Sequence, residues 1–489
     1  MEFSFTQTKI RLTLYNILTN HQAYLLVMLL LITSSPFTVA SAEETDVKNK
    51  INQLIKNSKI NEAELGICIE GPGLQYSMNG EKKMKPASVT KVATAAAVLE
   101  SFPVGYQFLT ELKTTAKIIN NQLPGDLCLV GGGDAGFVSE SMWFLVNEFY
   151  RTGVREIKGR IIVDDSFHDQ IRFDSSRDQT RVDRAYDSPI GAMTFNWSAV
   201  NVFVRGRSGE SSASVWADPE SDYILVENKT RMGSKTDIQA AHKGIGKDGA
   251  ETILVTGTKA NDNKEFVAFK AVQKPDFWAG HNLKNFLKQR GITVQGGVVN
   301  GKCDKSATSV GINKSKTVGE LTQLMLKYSN NYIAEILTKN LAAYKNNTAG
   351  TMDLGIKEMR SYLTRLGFTE KDFEIYNPSG LSLKNRITAK ATVNLLQHIK
   401  EDLRIYPEFI SGLPIMGVDG TLRKRISNEE VKGLVRAKTG HLTGVSSLAG
   451  YVANKKIGIY SFAFYHNGSA EKSYDAKVLF EKLTKELTE

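Results

Sequence analysis

The alternation of apolar and polar positions changes character several times along this chain. Leu65 to Ile69 and Leu74 to Met78 are short β-type runs turned around glycines and closed by Asn79-Gly80, the pattern of a hairpin. Val92 to Glu100 is alanine-rich with strong helix propensity, and Pro86 just upstream suits a helix entrance. From about 110 to 305 short β-type runs, such as Ile157 to Asp164 and Val200 to Val204, are separated by Gly/Ser/Asn-rich punctuation. Within that region about 206–265 is richer still in Gly, Ser, Lys and Asp, with short strands expected at Tyr223 to Val226 and Thr252 to Thr256. A helix follows from Gly280 to Arg290. Val318 to Ala343 has helical periodicity, interrupted around Tyr328-Ser329-Asn330-Asn331. Leu434 to Thr439, Ser446 to Ala453 and Ile457 to Tyr465 predict three successive antiparallel strands. Glu471 to Leu487 closes the chain as an amphipathic helix with an apolar stripe of Tyr474, Val478, Leu479, Leu483 and Leu487. Its mixed Glu/Lys polar face suits packing on a sheet better than lying on a membrane. No internal repeat is visible.

The N-terminus has the layout of a secretory signal over residues 1–42. Lys9 and Arg11 supply positive charge, Ala23 to Ile32 is a short apolar run, and Ala40-Ser41-Ala42 fits a small-x-small cleavage site before Glu43. That run is short for a membrane span, and no later segment could cross a bilayer. The expected location is therefore outside the cytoplasm, in a periplasm, with a cell surface as the alternative. The whole chain carries a net charge of +10; Lys9, Arg11 and Glu2 account for +1 of it, leaving +9 on the remainder. A basic balance suits an anionic wall or membrane surface, whereas export argues against nucleic acid. Three cysteines, Cys68, Cys128 and Cys303, are too few for a disulfide scaffold. Cys68 falls in an apolar strand and reads as a core thiol; pairing of Cys128 with Cys303 is left open.

Against this layout three short motifs stand in order: Ser88-Val89-Thr90-Lys91, Ser329-Asn330-Asn331 and Lys438-Thr439-Gly440. A Ser-x-x-Lys alone is a weak signal, and a second copy runs from Ser469 to Lys472. What separates Ser88 is its place between a hairpin and a helix. A serine in the first turn feels the positive end of the helix dipole, and Lys91 lies one turn on along the same face. A serine nucleophile, an amine to serve as its base, a hydroxyl to relay protons and a cationic strand to grip a carboxylate make a complete acyl-transfer site. The spacing from Ser88 to Ser329 is 241 residues and from Ser329 to Lys438 is 109, so something is inserted after the Ser88 helix.

The set resembles the serine/lysine machinery of penicillin-binding proteins and β-lactamases. Over nearly the whole chain after residue 42 it resembles a class C low-molecular-mass penicillin-binding protein of the D-alanyl-D-alanine carboxypeptidase/endopeptidase type. Beyond the three motifs the resemblance rests on Leu129-Val130-Gly131-Gly132-Gly133-Asp134, Val163-Asp164-Asp165-Ser166, and Tyr186 and Pro189 with Asn196 and Asn201. Ser379-Gly380-Leu381-Ser382 with Asn385-Arg386, and Gly417-Val418-Asp419-Gly420-Thr421-Leu422 with Arg425, complete it. It implies an α+β fold, a transpeptidase-like antiparallel sheet flanked by helices, formed by 43–109 and 306–489. A β-rich insert spanning 110–305 separates the Ser-x-x-Lys and Ser-x-Asn motifs. The chain departs from the family in three ways: the middle motif is Ser-Asn-Asn, Tyr328-Ser329-Asn330 offers a second frame for it, and His441 stands where Ser or Thr is usual. Ala334-Glu335 supports the Ser329 frame.

The resemblance assigns Ser88 as nucleophile, Lys91 as its base, Ser329 as proton relay and Asn331 as the group holding Lys91 and the substrate amide. Lys438 and Thr439 would bind the terminal carboxylate. The N–H groups of Ser88 and His441, following Gly440, would form the oxyanion hole. It implies peptidoglycan stem peptides as substrate, β-lactam antibiotics as covalent inhibitors, and no cofactor; oligomeric state is left open. Two rivals stand beside it, a serine β-lactamase, against which the long insert speaks, and a non-catalytic wall-binding scaffold, against which the intact motifs speak. Gly131 to Gly136 satisfies Gly-x-Gly-x-x-Gly, but export makes a structural glycine turn the better reading. Asp164, Asp165 and His168 lack a second cluster that would complete a metal site. Asn467-Gly468-Ser469 and Asn346-Asn347-Thr348 match glycosylation sequons by pattern only.

Overall fold

The β-type runs at the two ends of the chain meet in one sheet. In the computed structural model, which describes residues 36–103, 105–177, 184–247, 249–425 and 431–489, five antiparallel strands lie side by side. Their order is Val435–Leu442, Val445–Asn454, Gly458–Asn467, Leu65–Gly71 and Leu74–Met78. Period-two alternation sorts the faces. Leu65, Ile67, Ile69, Leu448, Phe462 and Phe464 meet the terminal helices Pro36–Asn57 and Ser473–Glu486. Cys68, Ala449, Tyr451, Ala463 and Tyr465 face a layer formed by Thr90–Ser101, Val318–Lys327, Asn331–Asn346, Met352–Arg365 and Ala389–Glu401. At the centre of that layer, the helix Thr90–Ser101 is buried from Thr90 through Val98. Its alanines at 93 and 95–97 let neighbouring helices close in around it.

The interruption expected inside Val318 to Ala343 is real. Val318–Lys327 begins with a capping box between Thr317 and Glu320 and stops at Tyr328. Ser329 turns the chain with φ at 56°, and Asn330 restarts it by accepting a hydrogen bond from the Ile333 N–H at 3.0 Å. The helix Asn331–Asn346 then runs buried on nearly all sides.

The insert is built on a second five-stranded sheet, ordered Val298–Asn300, Ile161–Asp164, Leu127–Gly131, Gln107–Thr114 and Thr308–Thr317. Its first and last strands in the chain, Gln107–Thr114 and Thr308–Thr317, pair with each other, so chain entry and exit are zipped together. The boundary expected at 110 falls inside the first of these strands. Within the stretch expected to hold a nested β unit, Ile224–Gly233, Glu251–Ala260 and Asp237–Ile245 form a three-stranded sheet, next to a second one of Phe266–Ala271, Ala199–Arg205 and Ser214–Asp218. A separate apolar core, including Leu112, Phe149, Val202, Ile253 and Trp278, unites the insert.

Several sequence expectations change in detail. The run Ile157 to Asp164 is two short strands, Glu156–Ile157 and Ile161–Asp164. Gly159 separates them where a side chain would lie 2.4 Å from the Gly125 backbone. The closing helix buries Ala476, Leu479, Phe480 and Leu483, while Tyr474 is 73% exposed because it sits on the opposite side of the helix from Leu483. The signal-type segment lies outside the described residues up to 35. The helix Pro36–Asn57 runs through the expected cleavage site at Ala40-Ser41-Ala42. No described helix is long and apolar enough to cross a membrane. Cys68 is buried as expected, and Cys128 and Cys303 are free thiols.

Candidate active site

Ser88 sits in a single 3₁₀ turn, Ala87–Val89, that leads directly into the helix Thr90–Ser101. Ala87 just before it is buried with φ at 46°, a left-handed conformation that costs an alanine on the order of 1–2 kcal/mol. Two backbones hold this turn. A side chain on Gly380 (φ 85°) would lie 2.0 Å from the Ala87 carbonyl oxygen and 2.9 Å from the Ser88 nitrogen. One on Gly440 would lie 2.6 Å from the Pro86 oxygen and 3.0 Å from the Ser88 nitrogen. Ser447 Oγ donates to the Pro86 carbonyl at 2.6 Å and pins the turn to the sheet. The strained turn and its two glycine neighbours thus present Ser88 half-exposed between the Lys-Thr-Gly strand and a second loop.

Lys91 is fully buried one turn along. Its Nζ lies 3.0 Å from Ser88 Oγ, 2.7 Å from Asn331 Oδ1 and 2.5 Å from the Ser379 carbonyl oxygen. The two amide-type oxygens can only accept, whereas the serine hydroxyl can donate. An ammonium can donate to all three, with the Ser88 hydroxyl donating to the Ser379 carbonyl at 3.4 Å, and a neutral amine is equally satisfied, with two N–H groups on Asn331 and Ser379 and its lone pair on the Ser88 proton. Burial pushes the Lys91 amine down to about 7, with the Glu335 carboxylate pulling the other way. Lys438 is also fully buried; its Nζ donates to Ser329 Oγ at 2.7 Å and to the Thr439 carbonyl at 2.6 Å. Burial, and after it the charge of Lys91, hold Lys438 well below the ordinary lysine value. Two buried amines whose charges repel each other disfavour the doubly protonated state.

The middle motif is brought to this cluster in the Ser329 frame. Ser329 Oγ meets Lys438 and Asn331 Oδ1 meets Lys91, while Asn330 is spent on the helix cap and Tyr328 is 66% exposed. Asn331 Nδ2 donates to the Tyr186 carbonyl at 3.3 Å, a link to the insert. Thr439 Oγ1 lies 2.8 Å from Thr421 Oγ1, and the two hydroxyls pair beside the Lys-Thr-Gly strand. His441 is exposed; its Nδ1 faces the Val445 carbonyl at 3.2 Å. Partial burial of the ring and then Lys477 hold its imidazole below the ordinary value, with Arg425 adding to this.

The rejected signals are accounted for by packing. In the Gly131 to Gly136 run, side chains on Gly131 and Gly133 would strike Met193 and Asn340. Asp164 accepts from the Ser166 and Cys303 N–H groups, Asp165 pairs with Arg172, and His168 Nε2 meets Asn340 Oδ1 at 2.7 Å. Among the described residues no cluster could hold a metal ion. Lys472 of the second Ser-x-x-Lys bridges Asp475 at 3.0 Å.

Residues 47–486 match the D-Ala-D-Ala carboxypeptidase 3 (S13) family. The chain belongs to this family. It is 29% identical over 465 residues to a D-alanyl-D-alanine carboxypeptidase of Actinomadura sp. strain R39, covering 91% of this chain and 85% of that one. With the D-alanyl-D-alanine carboxypeptidase DacB of Haemophilus influenzae it shares 26% identity over 409 residues, covering 82% and 84%. The crystal structure of penicillin-binding protein 4 from Haemophilus influenzae has the same fold, with a TM-score of 0.75 at 23% identity, covering 89% of this chain and 99% of the other. The class C penicillin-binding protein expected from the motifs, its α+β fold and its serine-type carboxypeptidase activity all stand with the S13 assignment; the β-lactamase alternative is not favoured.

Sequence reasoning missed the parts of this S13 site that come from outside the three motifs. Ser379 entered only as part of a matching run, yet its carbonyl is a partner of Lys91. Glu335 entered only as support for a reading frame, yet it is fully buried among charged and polar partners. Its signal was a carboxylate four residues after Asn331, followed at the same spacing by Lys339 in a helix of otherwise largely apolar composition. Arg177, which pairs with it, carried none.

Proposed function

We propose that this S13 carboxypeptidase acts on peptidoglycan stem peptides through a Ser88 acyl-enzyme, and that β-lactams inhibit it by acylating the same serine. The contact that carries the reading is Lys91 Nζ at 3.0 Å from Ser88 Oγ, with the amine's other partners restricted to acceptors. Neutral Lys91 takes the Ser88 proton as Oγ attacks the carbonyl carbon of the penultimate D-alanine. The oxyanion is met by the N–H groups of Ser88 and His441, and the lack of a side chain at Gly440 lets its strand lie against the Ser88 nitrogen. The C–N bond then breaks; the departing amine takes a proton through Ser329, and a water later cleaves the Ser88 ester. Asn331 holds Lys91 and faces the substrate amide. The buried Lys438 is committed to Ser329 and the Thr439 carbonyl, so direct contact with the terminal carboxylate falls to the Thr439 and Thr421 hydroxyls. Lys438 supports them from behind.

The same site admits cleavage of D-alanyl-diaminopimelyl crosslinks, since the acyl donor is identical and only the leaving amine differs. Export by the N-terminal segment to the periplasm is part of this reading, supported by the signal-type sequence before Glu43 and by the wall substrate. The experiment is the intact mass of the protein from Glu43 onward after mixing with benzylpenicillin, followed over hours. A persistent adduct mapped to Ser88 and absent from Ser88→Ala is expected. Labelling that survives in Ser88→Ala, or rapid hydrolysis of the drug without an adduct, refutes it.

A further inference from the structure

The helix that opens with Asn331 packs against the insert, and Glu335 makes a buried ionic contact there. This carboxylate is fully buried and accepts from Arg177 Nε at 2.9 and 3.0 Å and from Arg177 Nη2. It also accepts from Asn377 Nδ2 at 3.2 Å and from Ser379 Oγ at 3.1 Å. Arg177 belongs to the insert and has only 5% of its surface exposed. Its remaining N–H groups donate to the Asp187 and Ser188 carbonyls at 3.0 and 3.1 Å. Its neighbour Ser176 meets Asn377 Nδ2 at 3.0 Å. Asn377 Oδ1 in turn accepts from the N–H groups of Ser379, Gly380 and Leu381, which fixes the turn that delivers the Ser379 carbonyl to Lys91.

We propose that Arg177 and Glu335 are positioning residues through which the insert sets where Lys91 sits and how much charge it faces. This rests on Lys91 being the base for Ser88. Two effects run through one chain of contacts. Mechanically, Glu335 and Asn377 orient the Ser379 turn, and that turn carries both the acceptor of Lys91 and Gly380, which packs on Ser88. Electrostatically, Glu335 favours the ammonium form of Lys91, and a guanidinium bonded to that carboxylate offsets part of its field. The other charged group facing Lys91 is Lys438 on the Lys-Thr-Gly strand. Asp187 lies beside Arg177, and the remaining partners Ser88, Asn331 and Ser379 are neutral. A buried ion pair of this kind contributes little net stability, so its position beside the base is the better account of what it does.

Without the Glu335 charge Lys91 loses a proton more readily, and the acid limb of the acylation pH profile moves down. Without the Arg177 charge, Glu335 acts uncompensated on Lys91 and the limb moves up. The test is acylation by a fluorescent penicillin, measured from pH 5 to 9 on the full chain from Glu43, for wild type, Glu335→Gln, Arg177→Gln, the double variant and Lys91→Met. Expected shifts are on the order of one pH unit downward for Glu335→Gln and upward for Arg177→Gln. The double variant returns to within a few tenths of a unit of wild type. A purely structural role would lower rates without opposite shifts, and limbs that stay in place would overturn the proposal. Should Arg177→Gln not fold, as judged by thermal melting, the Glu335→Gln shift decides alone by the same criterion. If Lys91→Met keeps the wild-type limb, the base assignment falls; if Lys91→Met loses it while the pair variants do not move it, this inference alone falls.

Discussion

With Lys91 as the proposed base, lowering the pH from 8 to 5 should slow acylation of Ser88 by about 90-fold, because a base reacts as its free amine. The magnitude follows from burial. Fully removed from water, the Lys91 amine titrates at about 7 against 10.5 for an ordinary lysine, a difference worth about 5 kcal/mol in favour of the neutral form. At pH 7 this raises the free-base fraction from about 3 in 10,000 to about one half, some 1,600-fold more active base. The sign is that of a depressed lysine. The active form is complete above the folded value and is lost as pH falls through it, with a tenfold loss per unit below about pH 6. Stopped-flow acylation with a fluorescent penicillin under single-turnover conditions reads this directly, with the adduct confirmed on Ser88 by mass. Lys91→Met keeps the stem of the side chain and removes the amine; it should lose roughly 10²–10⁴ in rate and show no limb near pH 7. A flat profile between pH 5 and 8, or a wild-type limb persisting in Lys91→Met, would refute the assignment.

Gly440→Ala puts a methyl 2.6 Å from the Pro86 oxygen and 3.0 Å from the Ser88 nitrogen, which forces the strand away from the nucleophile. Acylation should fall by about 10²–10³, the loss of an oxyanion donor, and a rate within twofold of wild type would count against the oxyanion role. Thr439→Val removes the hydroxyl that meets Thr421 at 2.8 Å while keeping the shape of the side chain. KM for peptides ending in a free D-alanine carboxylate should rise about tenfold with kcat little changed, the cost of one polar contact to a charged group. Equal effects on carboxylate-free esters would exclude carboxylate binding.

What the sequence disclosed and what it hid divide along the range of the interactions. The three motifs were legible because each is local. Ser88 and Lys91 share one helical turn, the Ser329 break shows as an interruption of a 3.6-residue period, and Lys438 lies on a run of alternating strands. The hairpin at Leu65 to Met78 was legible for the same reason, but its place beside Gly458–Asn467, almost four hundred residues away, was not. Ser379 acts through a backbone carbonyl, which any residue possesses, so no side-chain pattern marks it as a partner of Lys91. Tyr474 misled because an apolar ring counts equally in a periodicity wherever it points. Arg177 is one of many basic residues in a chain of charge +10, and only the fold shows that it is buried against Glu335.

The helix Asn331–Asn346 explains how an insert of this size can matter to chemistry it does not itself perform. Besides Glu335, its Lys339 is buried against Asp169 and the Ile171 carbonyl at 2.9 Å, and its Asn340 is held by His168 and by the Gly133 carbonyl at 2.8 Å. Three polar side chains of this helix thus tie it to the insert, at Arg177, at the segment 168–171 and at Gly133. Apolar residues of similar volume could supply comparable stability, but they would tolerate small rotations and slides of the helix that hydrogen bonds do not. Asn331 stands at the first position of this helix with its Oδ1 2.7 Å from Lys91. A rotation that shifts Glu335 therefore shifts Asn331 as well. The insert fixes the rotation of the helix, the helix fixes Asn331, and Lys91 is thereby held from two sides by residues whose placement originates outside the sheet that carries Lys438.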